Sequence, residues 1–146
     1  MTKMSFQKII TSEVFKYLFF GVLATFVYIF IRFLTFFLTK EATSSALLAN
    51  IGAIIFAFVT NDSFVFNQVK IGRFKRFVKF VIARLFTLIL DVLLAYFLVE
   101  KFPLLIGQFV NNDINMINTI ETLLGQFMVI TLNYILSKLF IFKDTK

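Results

Sequence analysis

Charged and polar side chains recur at helical spacing within an otherwise apolar stretch of this sequence. Arg84, Thr87, Asp91 and Ala95 are separated by steps of three and four residues, which places them on one face of a helix. A guanidinium and a carboxylate are costly in apolar surroundings unless they face protein or a wet cavity. Because a planar guanidinium makes charge-assisted, sometimes bidentate bonds to phosphate, Arg84 is the leading candidate for contact with a phosphate.

Amide, hydroxyl and ammonium groups supply further candidates. An amide both donates and accepts hydrogen bonds, so it matches the hydroxyl groups of a sugar. The side chains of this kind that could form a polar route through the apolar stretches are Asn61, Gln126, Asn133 and Ser137. Lys79 and Lys138 lie at the ends of apolar stretches, where an ammonium is placed to capture an anionic headgroup.

Two ion pairs are predicted among the charges inside the apolar stretches. We expect Arg32 to pair with Asp91, and Asp62 with Arg84. The alternative is that the long Arg32 side chain reaches outward to water and that Asp62 only caps the end of its helix, and the sequence leaves both open. A further inward stripe is predicted on the first helix, at Gly21, Thr25, Tyr28, Arg32, Thr35 and Thr39.

Several kinds of chemistry are excluded by residues that the sequence lacks. It has no cysteine and no histidine, which removes disulfides, thiol chemistry, serine–histidine nucleophiles and most transition-metal sites. No glycine-rich loop ending in Gly-Lys-Ser or Gly-Lys-Thr is present, so no ATP site is predicted. The sequence therefore predicts neither an enzyme nor a cofactor or metal site.

The elements that must position these side chains are transmembrane helices. The chain has 146 residues, of which 60% are apolar and 16% charged, too apolar for one water-soluble core. Four stretches are long enough to cross about 30 Å of hydrocarbon at about 1.5 Å per residue, namely 17–38, 46–66, 77–99 and 118–142. The predicted fold is an all-α integral membrane protein with four transmembrane helices. The first stretch is too long for a signal peptide and is expected to remain in the mature protein.

Basic residues indicate the orientation of the helices. They concentrate before the first stretch, between the second and third and at the C-terminus, whereas the other two connections carry only Lys40 and Lys101. Since lysine and arginine in short loops resist translocation, both termini are expected to be cytoplasmic. This basic surface, within a formal net charge of +7, should also attract anionic lipid headgroups.

Two similar segments indicate an internal duplication. Residues 61–66 (NDSFVF) and 137–142 (SKLFIF) both end an apolar stretch just before a basic flank. This pattern predicts two duplicated helical hairpins, about 13–67 and 76–143, within one domain that occupies 1–146.

The second segment extends backward to give Asn133-Tyr134-Ile135-Leu136-Ser137-Lys138-Leu139-Phe140-Ile141-Phe142. This run resembles the ending typical of the GtrA-like family, and residues 61–66 resemble the same ending in the first hairpin. The opening of the first helix, 15–22, is also similar to that family, and the resemblance covers about 13–143. The chain departs from the family pattern at Ala24 and Tyr28, where members often have asparagine and aspartate.

The resemblance implies a flippase or a flippase subunit. Such a protein would move a polyprenyl-phosphate-linked monosaccharide across the cytoplasmic membrane for glycosylation of a cell-envelope polysaccharide or teichoic acid. Expected partners are that lipid-linked sugar, membrane lipids, membrane glycosyltransferases and further copies of the chain, because four helices make a thin bundle.

Two alternatives remain at this stage. One is a small four-helix exporter of drugs or cations, although such exporters rely on an acid in the first helix and none occurs within 17–38. The other is a subunit that assists a membrane glycosyltransferase without transporting anything. The sequence does not distinguish this second alternative from a flippase.

Overall fold

Four long helices make up most of the part of the chain that the structure describes. The structure is a computed structural model that describes residues 12–144, apart from the side chains of residues 42 and 43. The long helices are α1 (Glu13–Thr39), α2 (Ala42–Thr60), α3 (Arg73–Ala95) and α4 (Ile114–Leu136). Four spans of this part of the chain are long and apolar enough to cross a membrane, which confirms the predicted all-α, four-span fold.

The helices begin and end at residues suited to those positions. The Ser12 hydroxyl oxygen accepts from the Phe15 amide at 3.2 Å at the start of α1. The helix ends at Lys40, which has a φ of 59° and whose amide donates to the Phe36 carbonyl at 2.9 Å. At the start of α4, the Asp113 carboxylate accepts from two backbone amides of the first turn. A helical turn, Leu104–Gly107, lies in the connection between α3 and α4.

Three of the long helices continue into a wider π-helical segment. These segments are Asn61–Val65 after α2, Tyr96–Lys101 after α3 and Ser137–Ile141 after α4. In the first, the Phe66 amide donates to the carbonyl of Asn61, five residues back, at 2.9 Å. The first and third segments are the two similar motifs found in the sequence. The two motifs share this local conformation, and the duplication of the hairpins stays a prediction.

The described chain forms two compact units, of which the first comprises 12–77 and 142–144. Within it, α1 packs along α2. A Cβ atom added to Gly52 would lie 2.2 Å from Ile31 Cδ1, so the close approach of these helices depends on a missing side chain. The second unit comprises 78–141 and holds most of α3 together with α4.

The stripe predicted on α1 is partly wrong. Gly21, Thr25 and Arg32 are exposed, whereas Tyr28 and Thr35 are half-buried as expected. The Thr25 hydroxyl is satisfied by the Gly21 carbonyl of its own helix at 3.2 Å, so it needs no partner from another helix. The face that packs is one residue out of register with the predicted stripe and is mainly apolar, including Tyr17, Phe20, Ala24, Val27 and Ile31.

Candidate functional site

Asp62 is the centre of a buried ionic cluster in the first unit. Its side chain is 1% exposed, and each carboxylate oxygen binds one arginine. Oδ1 accepts from Arg76 Nε at 2.7 Å, and Oδ2 accepts from Arg73 Nε at 2.8 Å. The prediction that Asp62 pairs with Arg84 is therefore wrong. Its two partners, Arg73 and Arg76, follow it more closely in the chain. The reason is geometric, because the connection after α2 turns back and brings the start of α3 against the carboxylate.

All three nitrogen atoms of the Arg76 guanidinium donate hydrogen bonds. Besides Asp62, it donates to the carbonyls of Val69 at 2.6 Å and Ile71 at 2.9 Å, and to Asp144 Oδ2 at 3.0 Å. The side chain is 3% exposed. A buried charge that is paired and fully hydrogen-bonded stabilises the fold, whereas the same charge without its partners would be costly. Arg76 is therefore a structural residue.

The last described residues join the same cluster. Gln68 Oε1 accepts from the Asp144 amide at 2.6 Å, and the Val69 amide donates to the Asp144 carbonyl at 2.9 Å. The Phe66 and Phe142 rings stack with centroids 4.9 Å apart, so the corresponding phenylalanines of the two similar motifs contact each other. We call this assembly the Asp62 clasp; its polar members are Asp62, Gln68, Arg73, Arg76 and Asp144.

Asn61 lies directly beside the clasp and has spare bonding capacity. Its amide nitrogen donates to the Ala57 carbonyl at 2.7 Å, and the residue is 4% exposed. Among buried side-chain nitrogen and oxygen atoms of the described residues, its Oδ1 is the one without a hydrogen-bond partner. An unpaired buried acceptor is unusual and is available to a donor group of a ligand.

The second unit contains a polar interface between α3 and α4. The Thr87 hydroxyl donates to the Asn133 amide oxygen at 3.0 Å, and both residues are buried. Thr87 belongs to the predicted stripe of α3, and all four stripe residues are buried or half-buried in the structure. Along α4 and into the segment that follows it, every fourth residue is turned inward. Ile117, Glu121, Gly125, Asn133 and Ser137 are buried, and Val129, at the remaining position, is half-buried.

Two carboxylates meet at Gly125 in this interface. A Cβ atom added there would lie 2.9 Å from Asp91 Oδ1 and 3.3 Å from Glu121 Oε1. Glu121 is 4% exposed and Asp91 is half-buried. Neither carboxylate makes a hydrogen bond or an ion pair within the described chain. Glycine at this position leaves the space into which both side chains extend.

The predicted phosphate and headgroup candidates lie at the other end of the same unit. The Arg84 guanidinium is half-buried and lies 4.6 Å from the centroid of the Phe80 ring. Lys138 Nζ lies 3.3 Å from the Tyr134 hydroxyl and is exposed, as is Lys79. Arg84 and Lys138 thus each lie beside an aromatic ring, which fixes the position of the cation.

The other predicted site residues have different positions. Gln126 is exposed, because the packed face of α4 passes through its neighbour Gly125. Arg32 is exposed on α1, donates to the Tyr28 hydroxyl and lies 5.8 Å from that ring's centroid. Its predicted pairing with Asp91 stays a prediction, and Asp91 faces Gly125 and Glu121.

Sequence reasoning did not assign Glu121 and Gly125 to the site. The signal that could have found them is the four-residue period on α4, because Asn133 and Ser137 were already candidates. Counting back from Asn133 in steps of four reaches Gly125 and Glu121 directly. Arg76 and Gln68 were missed because they contact Asp62 through a turn, which follows no helical period.

Removing the bond between Thr87 and Asn133 should reveal energetic coupling between α3 and α4. We expect Thr87→Val and Asn133→Leu each to lower the free energy of unfolding. Thr87→Val should cost more, because it leaves the buried Asn133 oxygen unpaired, whereas in Asn133→Leu the Thr87 hydroxyl can still donate to the Ala83 carbonyl. The double variant should lose less than the sum of the two, by about 1 kcal/mol, within the range known for such bonds in membranes. Reversible unfolding in mixed micelles, followed by circular dichroism, measures all four proteins. Strictly additive losses would contradict the bond.

Comparison with known proteins gives one match. A family model described as GtrA/DPMS, transmembrane domain, matches residues 16–142, which include all four spans and both similar motifs. This match confirms the resemblance found in the sequence. No curated protein and no solved structure matches the chain.

Proposed function

This chain belongs to the GtrA/DPMS transmembrane-domain family of membrane proteins in glycosylation and glycosyl-carrier processes, and from that premise we propose that it moves a polyprenyl-phosphate-linked monosaccharide across the cytoplasmic membrane. The sugar would then be used on the outer side to glycosylate an envelope polysaccharide or teichoic acid. The observation that carries the proposal is the polar interface between α3 and α4 in the second unit. It contains an arginine, two carboxylates and a buried amide inside two apolar spans.

Such a lipid needs a polar route through hydrocarbon. Its prenyl chain can stay among acyl chains, but a phosphate and several hydroxyl groups cannot cross unaided at a useful rate. Buried polar side chains at membrane depth are rare and usually serve function. Such side chains come together between α3 and α4 at two places, where Thr87 bonds to Asn133 and where Asp91 lies beside Gly125.

Each part of the cargo has a matching group in this interface. Arg84 is assigned to the phosphate, because its fork can bind two phosphate oxygens while Phe80 holds it in place. Lys79 and Lys138 would attract the headgroup at the membrane surface. Asn133 and Ser137 are assigned to the sugar hydroxyls. In the first unit, taken by itself, Asn61 offers an unpaired acceptor oxygen that would bind a hydroxyl group.

Gln126 and Arg32 contribute only if a second copy covers them. Both are exposed in a single chain, and a polar side chain facing acyl chains is unfavourable. A homo-oligomer that brings α1 or the exposed face of α4 against another copy would cover these groups. The proposed active form is therefore oligomeric.

Reconstitution tests the proposal directly. Purified protein in vesicles should move a fluorescent glycosyl-phosphoprenol between leaflets, measured as the fraction that becomes accessible to a quencher added outside. Movement should need no ATP, because the gradient of the lipid drives it. Vesicles without protein, and vesicles with an unrelated four-span protein, are the controls.

Each negative result has a distinct meaning. Movement seen only when a membrane glycosyltransferase is added would identify an assisting subunit. Unchanged surface sugars in a deletion strain, with altered drug tolerance, would identify an exporter and overturn the proposal.

A further inference from the structure

Two carboxylates lie close together beside Gly125, and movement of a lipid does not explain why they do. Asp91 Oδ1 and Glu121 Oε1 lie within 3.3 Å of the same point, the place where a Cβ of residue 125 would be. Glu121 follows the first residue of α4 by seven positions, about 10 Å along the axis, and Asp91 precedes the end of its span at Lys101 by ten positions, about 15 Å. Both carboxylates therefore lie inside the spans.

Two negative charges cannot both be stable there. Carboxylates that share a site repel each other, and removal from water penalises each charge further. A nearby lysine or arginine can neutralise a buried carboxylate, as Arg73 and Arg76 do for Asp62. Within residues 12–144, neither Asp91 nor Glu121 forms an ion pair with a lysine or an arginine.

The charged groups around the pair are directed elsewhere. On α3 the nearest cation toward the N-terminal end is Arg84, whose guanidinium lies over Phe80, one turn further from Asp91. Glu100 and Lys101 are exposed at the far end of that span, and Asp113 caps α4. Beyond the end of α4, in the π-helical segment Ser137–Ile141, the charged residue is Lys138, whose ammonium lies beside Tyr134. The turn Leu104–Gly107, which packs on Ile117, contains no charged residue.

We propose that Asp91 and Glu121 form a proton-binding site in which one proton is held between the two carboxylates. The proton comes from water and returns to it, and the bond that changes is an O–H bond on one carboxyl oxygen. A pair that holds one proton carries a single negative charge, which removes the repulsion between the two carboxylates. Glu121 is the better buried member, with 4% of its surface exposed.

Reaction with a carbodiimide tests the site without any lipid substrate. Dicyclohexylcarbodiimide is apolar and modifies carboxyl groups that are protonated in apolar surroundings. Wild-type protein in nanodiscs at neutral pH should take one adduct per chain, mapped by mass spectrometry to Asp91 or Glu121. Labelling should fall as the pH rises, and Asp62, bound by two arginines, should remain unmodified as an internal control.

Variants and ions separate the outcomes. Asp91→Asn combined with Glu121→Gln should abolish the adduct, whereas Glu100→Gln, at an exposed position, should not change it. Gly125→Ala displaces the carboxylates and should alter the rate of labelling, while Gly21→Ala, which has open space around it, should not. Protection by sodium chloride but not by choline chloride would identify a cation site and overturn the proposal.

If the variants do not fold, the site can still be tested on the wild-type protein by infrared spectroscopy. The infrared spectrum at neutral pH should contain the C=O band of a protonated carboxyl that shifts in D₂O and disappears at high pH. Absence of both the band and the adduct would show that both groups are ionised. Because neither measurement uses lipid cargo, the proton site can stand if translocation fails, and can fail while translocation is observed.

Discussion

Replacing Asp62 by alanine is expected to lower the free energy of unfolding by about 3–5 kcal/mol, the range for breaking a buried ion pair. The carboxylate is 1% exposed and binds Arg73 and Arg76 with one oxygen each. Without it, the Arg76 guanidinium stays buried with its principal counter-charge removed. The measurement is unfolding of the purified protein in mixed micelles, followed by circular dichroism. Loss of folded protein during purification would be the extreme form of the same result.

Two neighbouring charges are the matched controls for Asp62. Arg73 and Asp144 belong to the same clasp, but their side chains are 46% and 55% exposed. Exposed members of ion pairs usually contribute about 1 kcal/mol or less. Arg73→Ala and Asp144→Ala should therefore be clearly milder than Asp62→Ala. If all three variants lost the same stability, the burial of the Asp62–Arg76 pair would not be what holds the clasp together.

Replacing Arg84 by glutamine is expected to slow lipid translocation roughly tenfold to a hundredfold. A hydrogen bond to a charged group contributes about 1.5–3 kcal/mol, and the phosphate would lose its cationic partner in the interface. Lysine at this position should restore part of the rate, because it keeps the charge but loses the planar fork. The rate is measured in vesicles with the labelled glycosyl-phosphoprenol.

The control for Arg84 is an exposed basic residue outside the interface. Lys75 lies in the first turn of α3 and is exposed, so Lys75→Gln should leave the rate unchanged. Circular dichroism of each variant shows whether the helices remain folded. An Arg84→Gln protein that folds and transports at the wild-type rate would remove Arg84 from the proposed function.

The sequence was sufficient for the helices and for one side of the polar interface. Length and hydropathy predict four spans because hydrocarbon thickness sets a minimum run of apolar residues. The stripe on α3 was predicted correctly, since Arg84, Thr87 and Asp91 have only apolar residues around them in the sequence. On α1 the same reasoning was less successful, because Thr25 bonds to its own helix and a mainly apolar face one residue out of register packs instead.

The contacts that the sequence did not predict have two physical causes. The partners of Asp62 depend on how the connection after α2 folds back, and helical periodicity says nothing about a turn. On α4 the error was one residue, because Gln126 was chosen for its amide while the adjacent Gly125 faces the interface. A glycine has no side chain to indicate chemistry, yet its absence of a Cβ admits both Asp91 and Glu121.

The contacts of Phe142 and Asp144 have a consequence for biosynthesis. These residues complete a unit that otherwise consists of the first two helices and their following connection. They are synthesised after α3 and α4, so α1 and α2 are inserted before these contacts can form. A chain that stops within α3 or α4 would lack the contacts of Phe142 and Asp144, and its first unit would be less protected from membrane proteases.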